Sequence, residues 1–179
     1  MIEDPLFKST HDALVFSFNY AHQQSPRTPM TSFMRTAGIG SGKGLSGLDG
    51  AAQAGMVLAE VCRLPDDQHN VIVARYGHVL HECRHCEQEA PSDDWRTAIS
   101  ELANNIEVDW THRRVRRDIV EMAIGKSFMN KDQFCKKYSI SKATAYRRIF
   151  EVKTQLRKLE RIAMINLDNA FSNNKLLVA

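Results

Sequence analysis

The sequence predicts an all-α protein, multi-helix, with a C-terminal helix-turn-helix and a long final helix. Three observations carry this. Apolar residues recur at three- and four-residue spacing along most of the chain. Ser, Asn or Asp stands where helices would start, and Gly or Pro where they would end. The one good β-branched run, Val71-Ile72-Val73, has no second run of its quality to pair with. A chain of 179 residues suffices for one ordinary domain or two small helical ones. Its 43% apolar and 25% charged residues exclude wholesale disorder and fibrous repeats.

The elements follow in order. Over 6–23, apolar residues at 14, 15, 16, 18 and 20 with Ser9 or Thr10 as cap predict a helix. Ser-Pro, Thr-Pro and six glycines between 38 and 50 make the stretch up to residue 47 loop chemistry, with Phe33-Met34 as a small anchor, so 1–47 reads as an N-terminal helix and a Gly/Pro-rich loop. The Ala-rich segment 48–64 is a helix, capped by Ser46 with Asp49 behind it and ended by Pro65. Asp66 or Asp67 opens the next helix, which stops near Gly77. Residues 78–91 form a His/Cys-rich connector. Ser92-Asp93-Asp94 starts a helix over 95–106 whose stripe is Trp95, Ile99, Leu102, Ala103 and Ile106. The region 48–110 is acidic and helical.

The basic region 111–171 begins with a helix over 112–124, burying Val115, Ile119, Met122 and Ala123 and ending on Gly125. Asn130 caps a helix over 131–138, and Ser141 caps the final one, to about Leu167; 172–179 reads as a disordered tail. Charge marks the same boundary. Residues 111–161 carry fifteen Lys/Arg against five Asp/Glu, whereas the rest carries nine against sixteen. An excess concentrated in this way favours a polyanionic partner over a merely solvated face.

The motif behind that excess is KDQFCKKYSISKATAYRRI, residues 131–149. A helix-turn-helix needs a small residue where its helices cross, apolar residues around a tight turn, and a capped second helix with one buried face. Cys135 is the small residue, Phe134, Tyr138 and Ile140 are the apolar ones, Ser141 is the cap, and Ala145 and Ile149 face inward. Ser139 stands where glycine usually takes the left-handed conformation, at a modest cost. Lys142, Ala143, Tyr146 and Arg147 are left outward, where a recognition helix meets base edges of double-stranded DNA, with Thr144 and Arg148 beside them for phosphates. Arg113, Arg114, Arg116 and Arg117 would grip the DNA backbone. Six to ten such contacts lower affinity by ~10³–10⁵ between low and moderate salt. Beyond the motif, Ile149, Val152, Leu156, Leu159 and Ala163 make a stripe that either pairs with a second copy as a homodimer or, the preferred reading with Asn166 next on the seam, packs on 6–23 or 48–64.

Four cysteines stand at 62, 83, 86 and 135. With no basic, apolar leader at Met1-Ile2-Glu3-Asp4-Pro5 and no run long enough to span a bilayer, a soluble intracellular protein away from membranes is expected, and cysteines there read as free thiols or metal ligands. Residues 78–86, HVLHECRHC, offer His78, His81, Cys83, His85 and Cys86. Cys83-x-x-Cys86 with His78 and His81 would complete a structural zinc site; free thiols with solvated histidines is the competing and preferred reading, since a second Cys-x-x-Cys is absent. Cys62 is expected in the core. The glycine-rich stretch around Lys43 fails as a phosphate loop, with Ala37 for its first glycine and Gly44 after the lysine. No nucleophile–base or carboxylate constellation can be assembled, so an enzyme is not expected.

Over residues 43–167 the layout resembles the Q-type transcription antitermination proteins of phages and prophages. The likeness rests on GKGLSGLDGAAQAGMVLAEV, the Arg-Tyr-Gly helix end at 75–77 and DIVEMAIGKSFMNKDQFCKKYSISKATAYRRI, while Leu64-Pro65-Asp66-Asp67 through Gly77 is similar to the start of a sigma-factor region-four fold. The 78–110 insert departs from the shortest members. The resemblance implies a late-gene regulator in the bacterial host cytoplasm that binds DNA near a late promoter, loads onto paused RNA polymerase and suppresses termination. Alternatives are a simple helix-turn-helix repressor or activator, a small-terminase-like DNA packaging subunit and, last, a nucleic-acid enzyme.

Overall fold

The computed structural model describes residues 7–24, 48–82, 88–110 and 112–177. Among them run seven helices and one two-stranded sheet: α1 (Thr10–Gln24), α2 (Leu48–Cys62), α3 (Asp66–Tyr76), β1 (Leu80–Glu82), β2 (Glu89–Pro91), α4 (Asp93–Asn105), α5 (Arg113–Ile124), α6 (Lys131–Tyr138) and α7 (Lys142–Asn173). The protein is all-α apart from the short antiparallel pair, in which Leu80 faces Pro91, His81 faces Ala90 and Glu82 faces Glu89. No described helix is long and apolar enough to cross a membrane. The proposed cap at Ser46, the Phe33-Met34 anchor and the glycine-rich stretch around Lys43 lie outside the described residues.

Two compact units are each assembled from separate stretches of the chain. One compact unit gathers Met1–Arg63, Leu80–Ser92 and Asn166–Ala179; the other gathers Leu64–Val79 and Asp93–Ile165. α7 therefore contributes to both.

In the first unit, Ser9 caps α1 by accepting a hydrogen bond from the Asp12 amide at 3.1 Å. The adjacent Thr10 hydroxyl donates instead to the Asp168 carboxylate of α7. α1 buries Thr10, Ala13, Leu14 and Ser17, and Ser17 tolerates burial because its hydroxyl donates to the Ala13 carbonyl at 2.8 Å. α2 packs on α1 through Ala54, Val57 and Val61. Cys62, expected in the core, is exposed: it falls one residue past Val61, off the buried stripe. The tail is also not loose. α7 runs to Asn173, Lys175 adopts a left-handed φ of 56°, and the Leu176 amide returns to the Phe171 carbonyl at 2.9 Å. Leu176 is buried, and Leu177 bridges Phe7 in parallel, so residues 172–177 are seated rather than disordered.

In the second unit, α4 packs between α3 and α5. Its stripe is the predicted one, with Trp95, Ile99, Leu102, Ala103 and Ile106 all buried. The Trp95 indole donates to the Ala74 carbonyl at 3.2 Å, giving the buried N–H its partner. On α5, Val120 is buried and Met122 only half-buried, a shift of the inward face from the one read off the sequence. Gly125 ends α5 at φ 87°, the left-handed conformation that glycine adopts freely. Gly77 ends α3 for a different reason: its φ is −62°, but a Cβ there would lie 2.5 Å from the Val73 carbonyl oxygen. Of the stripe, Ile149, Val152, Leu156 and Ala163 are buried and Leu159 is half-buried, and this stretch groups with α3–α6 rather than with α1 or α2.

Arg75 ties this unit together. Its guanidinium forks onto Glu160 of α7 (3.1 and 2.9 Å) and donates to the Ile124 carbonyl at the end of α5 (2.7 Å). Nearby, the Lys126 ammonium donates to the Gly77 carbonyl at 2.6 Å. Burial, with Arg75 adding repulsion, pulls the Lys126 ammonium down from 10.5 to about 8. Between those values the unfolded chain holds more protons than the folded one. The penalty for burying this charge is therefore full below about pH 8 and is relieved as pH rises toward 10.5. We expect the stability of the native protein relative to Lys126→Met to increase between about pH 7 and about pH 10 in urea unfolding. A difference that stays constant with pH would show that this ammonium carries no burial penalty.

Candidate nucleic-acid interface

The outward face at the start of α7 is built from the turn that precedes it. Asn130 and Gln133 form a full capping box at α6: the Asn130 side-chain Oδ1 accepts from the Gln133 backbone N–H at 2.8 Å, and the Gln133 side-chain Oε1 accepts from the Asn130 backbone N–H at 2.9 Å. α6 ends on Ser139 in the left-handed conformation (φ 53°, ψ 41°), and the Ile140 amide closes back onto the Cys135 carbonyl at 3.0 Å. Two residues later Ser141 caps α7, its hydroxyl accepting from the Thr144 amide at 3.1 Å. Two helices are thus joined by the three residues Ser139, Ile140 and Ser141. Phe134, Cys135, Ala145 and Ile149 are buried beneath them, as the sequence predicted.

α6 is fastened to α5 by one carboxylate. Asp118 accepts from the Tyr138 hydroxyl at 2.7 Å and from the Lys137 ammonium at 2.8 Å. Burial and the bond to Asp118 raise the Tyr138 phenol above its ordinary range, so it stays a donor. The Phe134 ring lies 5.0 Å from Tyr138, edge-on, and 6.1 Å from Trp110.

The structure divides the predicted DNA-contacting residues into two groups. Lys142, Ala143, Tyr146 and Arg147 share the exposed side of α7, and Arg113 and Arg114 are exposed at the start of α5. The Lys131 ammonium sits 4.4 Å from the Tyr146 ring centre. Lys142 pairs with Asp132 at 2.8 Å, which lowers the carboxyl and raises the ammonium from their ordinary ranges. Both partners are more than half exposed, so a phosphate can take the place of that carboxylate at little expense.

The other group points elsewhere. Arg148 is only 19% exposed, with its guanidinium between Asp109 and Glu151, each at 2.9 Å. It lies one residue past Arg147, rotated off the outward side, and locks α7 to the segment before α5. Thr144 is half-buried, its hydroxyl 2.9 Å from that of Ser141. Arg116 donates to the Asn104 carbonyl at 3.1 Å and to that of Ile106, closing the end of α4. Arg117 is half-buried, 3.9 Å from Glu121. These side chains hold the scaffold that presents the first group.

One residue of the exposed side escaped the sequence reading. Phe150 is 69% exposed and lies seven residues after Ala143 and four after Tyr146, on the same side. That spacing was its signal. In the suggested metal set, His81 lies in β1 and His78 two residues before it, while Cys83, His85 and Cys86 lie outside the described residues. Among the described residues no three His, Cys, Asp or Glu side chains gather as a metal group. A scan against protein-family models and a search of curated proteins each return no match for the chain.

The turn itself can be tested. Ser139 holds a conformation that costs a side-chain-bearing residue of order 1 kcal/mol. Ser139→Gly should raise stability by about 0.5–1 kcal/mol in thermal or denaturant unfolding. A loss of stability would mean that the Ser139 side chain contributes more than the strained backbone costs.

Proposed function

We propose that the chain is a sequence-specific DNA-binding transcription regulator in which α6, the three-residue turn and α7 act as a helix-turn-helix. The start of α7 enters the major groove, and Arg113 and Arg114 reach phosphates. The observation that carries this is the exposed set Lys142, Tyr146 and Arg147 on a helix that follows a tight left-handed turn, is capped by Ser141 and buries Ala145 and Ile149 on its other side. Within that class we favour a phage-type antiterminator that acts on RNA polymerase at a late promoter. Two things support it: the resemblance over 43–167, and the separation of basic from acidic sequence, which leaves an acidic, apolar portion for a protein partner. A simple repressor or activator would need no such portion.

The first test is selection of bound sequences from a random duplex pool, followed by affinity measurements over a salt series. If Arg147 takes a guanine through O6 and N7, Arg147→Ala should cost ~1–3 kcal/mol of discrimination at one position. Replacing Arg113 and Arg114 by alanine should weaken all duplexes alike and reduce the salt slope by about two. Indifference to duplex DNA even at very low ionic strength would sink the proposal. Read-through of a terminator by purified polymerase, with and without the protein, separates antitermination from repression.

A further inference from the structure

We propose that α7 reads thymine C5-methyl groups, using Phe150 and Ala143, next to the guanine taken by Arg147. The inference rests on the DNA-binding reading above and specifies what the site recognises.

Phe150 is 69% exposed, the most open of the large apolar side chains of α7, on a different side from the buried series Ala145, Ile149, Val152 and Leu156; Ile162 and Ile165, farther along the helix, are also exposed. Its neighbours one turn away on the helix are Tyr146, Arg147, Lys153 and Thr154, and Arg157 and Lys158 follow. The Thr154 hydroxyl is engaged with the Phe150 carbonyl at 2.9 Å and does not cover the ring. A ring surrounded by cations is poorly suited to an apolar protein surface, because docking there would strip water from several charges. Against a polyanion the same cations are favourable and the ring meets whatever apolar groups the polyanion offers. In the major groove those groups are the thymine methyls, which Phe and Ala side chains contact.

The rest of the face points the same way. Adenine is normally read by Asn or Gln through N6 and N7. None of the outward residues Lys142, Ala143, Tyr146, Arg147 and Phe150 is of either type, and Gln155 is held by the Glu107 carbonyl at 2.9 Å. A·T pairs under α7 are therefore recognised from the thymine side. Cytosine is read by a carboxylate. The one at hand, Glu151, is held by Arg148 at 2.9 Å. Ala143 and Phe150 flank Arg147 by one turn on either side, which places methyl contacts on both sides of the guanine contact.

The test uses the full chain and the duplex obtained by selection, with each thymine replaced in turn by deoxyuridine, which lacks only the methyl group. Losing one buried methyl corresponds to about fourfold in affinity. The native protein should lose about that much at one or more positions. Phe150→Ala should weaken binding to the thymine duplex and show no further loss when the same position carries uracil; Phe150→Leu should keep part of the sensitivity. Phe150 is exposed, so neither change is expected to disturb folding, which circular dichroism checks. A native protein that binds the selected duplex but ignores every uracil replacement overturns the methyl reading while leaving DNA binding intact. Equal losses by Phe150→Ala on thymine and uracil duplexes overturn the part given to Phe150. Failure to bind any duplex overturns the underlying DNA-binding proposal instead.

Discussion

The second unit depends on where the Arg75 guanidinium lies. It stands near the end of α3, and its donors reach the last turn of α5 and the carboxylate of Glu160 on α7. Three helices are fixed relative to one another by one planar, permanently charged group. The pair is mostly shielded, with about a quarter of each side chain open to water. Removing either partner would leave a charge with no comparable substitute, which is the expensive way to lose an ion pair. The geometry is bidentate, so lysine could not replace it. Because α7 also carries the outward face at its beginning, the direction in which that face points is set from more than three helical turns away.

The cationic excess of 111–161 overstates the surface offered to a polyanion. Lys137, Arg116 and Arg148 are engaged by carboxylates or helix-end carbonyls inside the unit, and Lys126 is half-buried against Gly77. Others stay exposed: Arg113, Arg114, Lys142 and Arg147 on the face described above, with Lys131 and Lys136 on α6 and Arg157, Lys158 and Arg161 farther along α7.

The local features were the most legible in the sequence. Asn130, Ser141, Gly125 and Ser139 do what their residue types do at helix ends, and such effects need no knowledge of the rest of the fold. The α4 stripe was legible because its polar residues alternate cleanly with apolar ones. α2 was not, because it is apolar on nearly every side, and nothing in its pattern distinguishes Val61 from Cys62. The strands Leu80–Glu82 and Glu89–Pro91 are three residues each, too short for alternation to register. In the candidate site, the helical period placed Lys142, Ala143, Tyr146 and Arg147 correctly on the outside. The engagement of Arg148 with Asp109 depends on a partner 39 positions away, which local pattern does not contain.

The first unit has an unusual schedule of assembly. Its core requires Leu167, Phe171 and Leu176 from the end of the chain alongside Leu14 and Val57 from its beginning. On a ribosome adding roughly 5–20 residues per second, α1 and α2 emerge on the order of 5–20 s before the segment that completes them. During that interval α1 and α2 can cover one another, but the part of the core closed by Leu167, Phe171 and Leu176 stays open. Synthesis of the C-terminal segment is thus the step that closes the first unit, and a chain released before it would leave α1 and α2 only half covered.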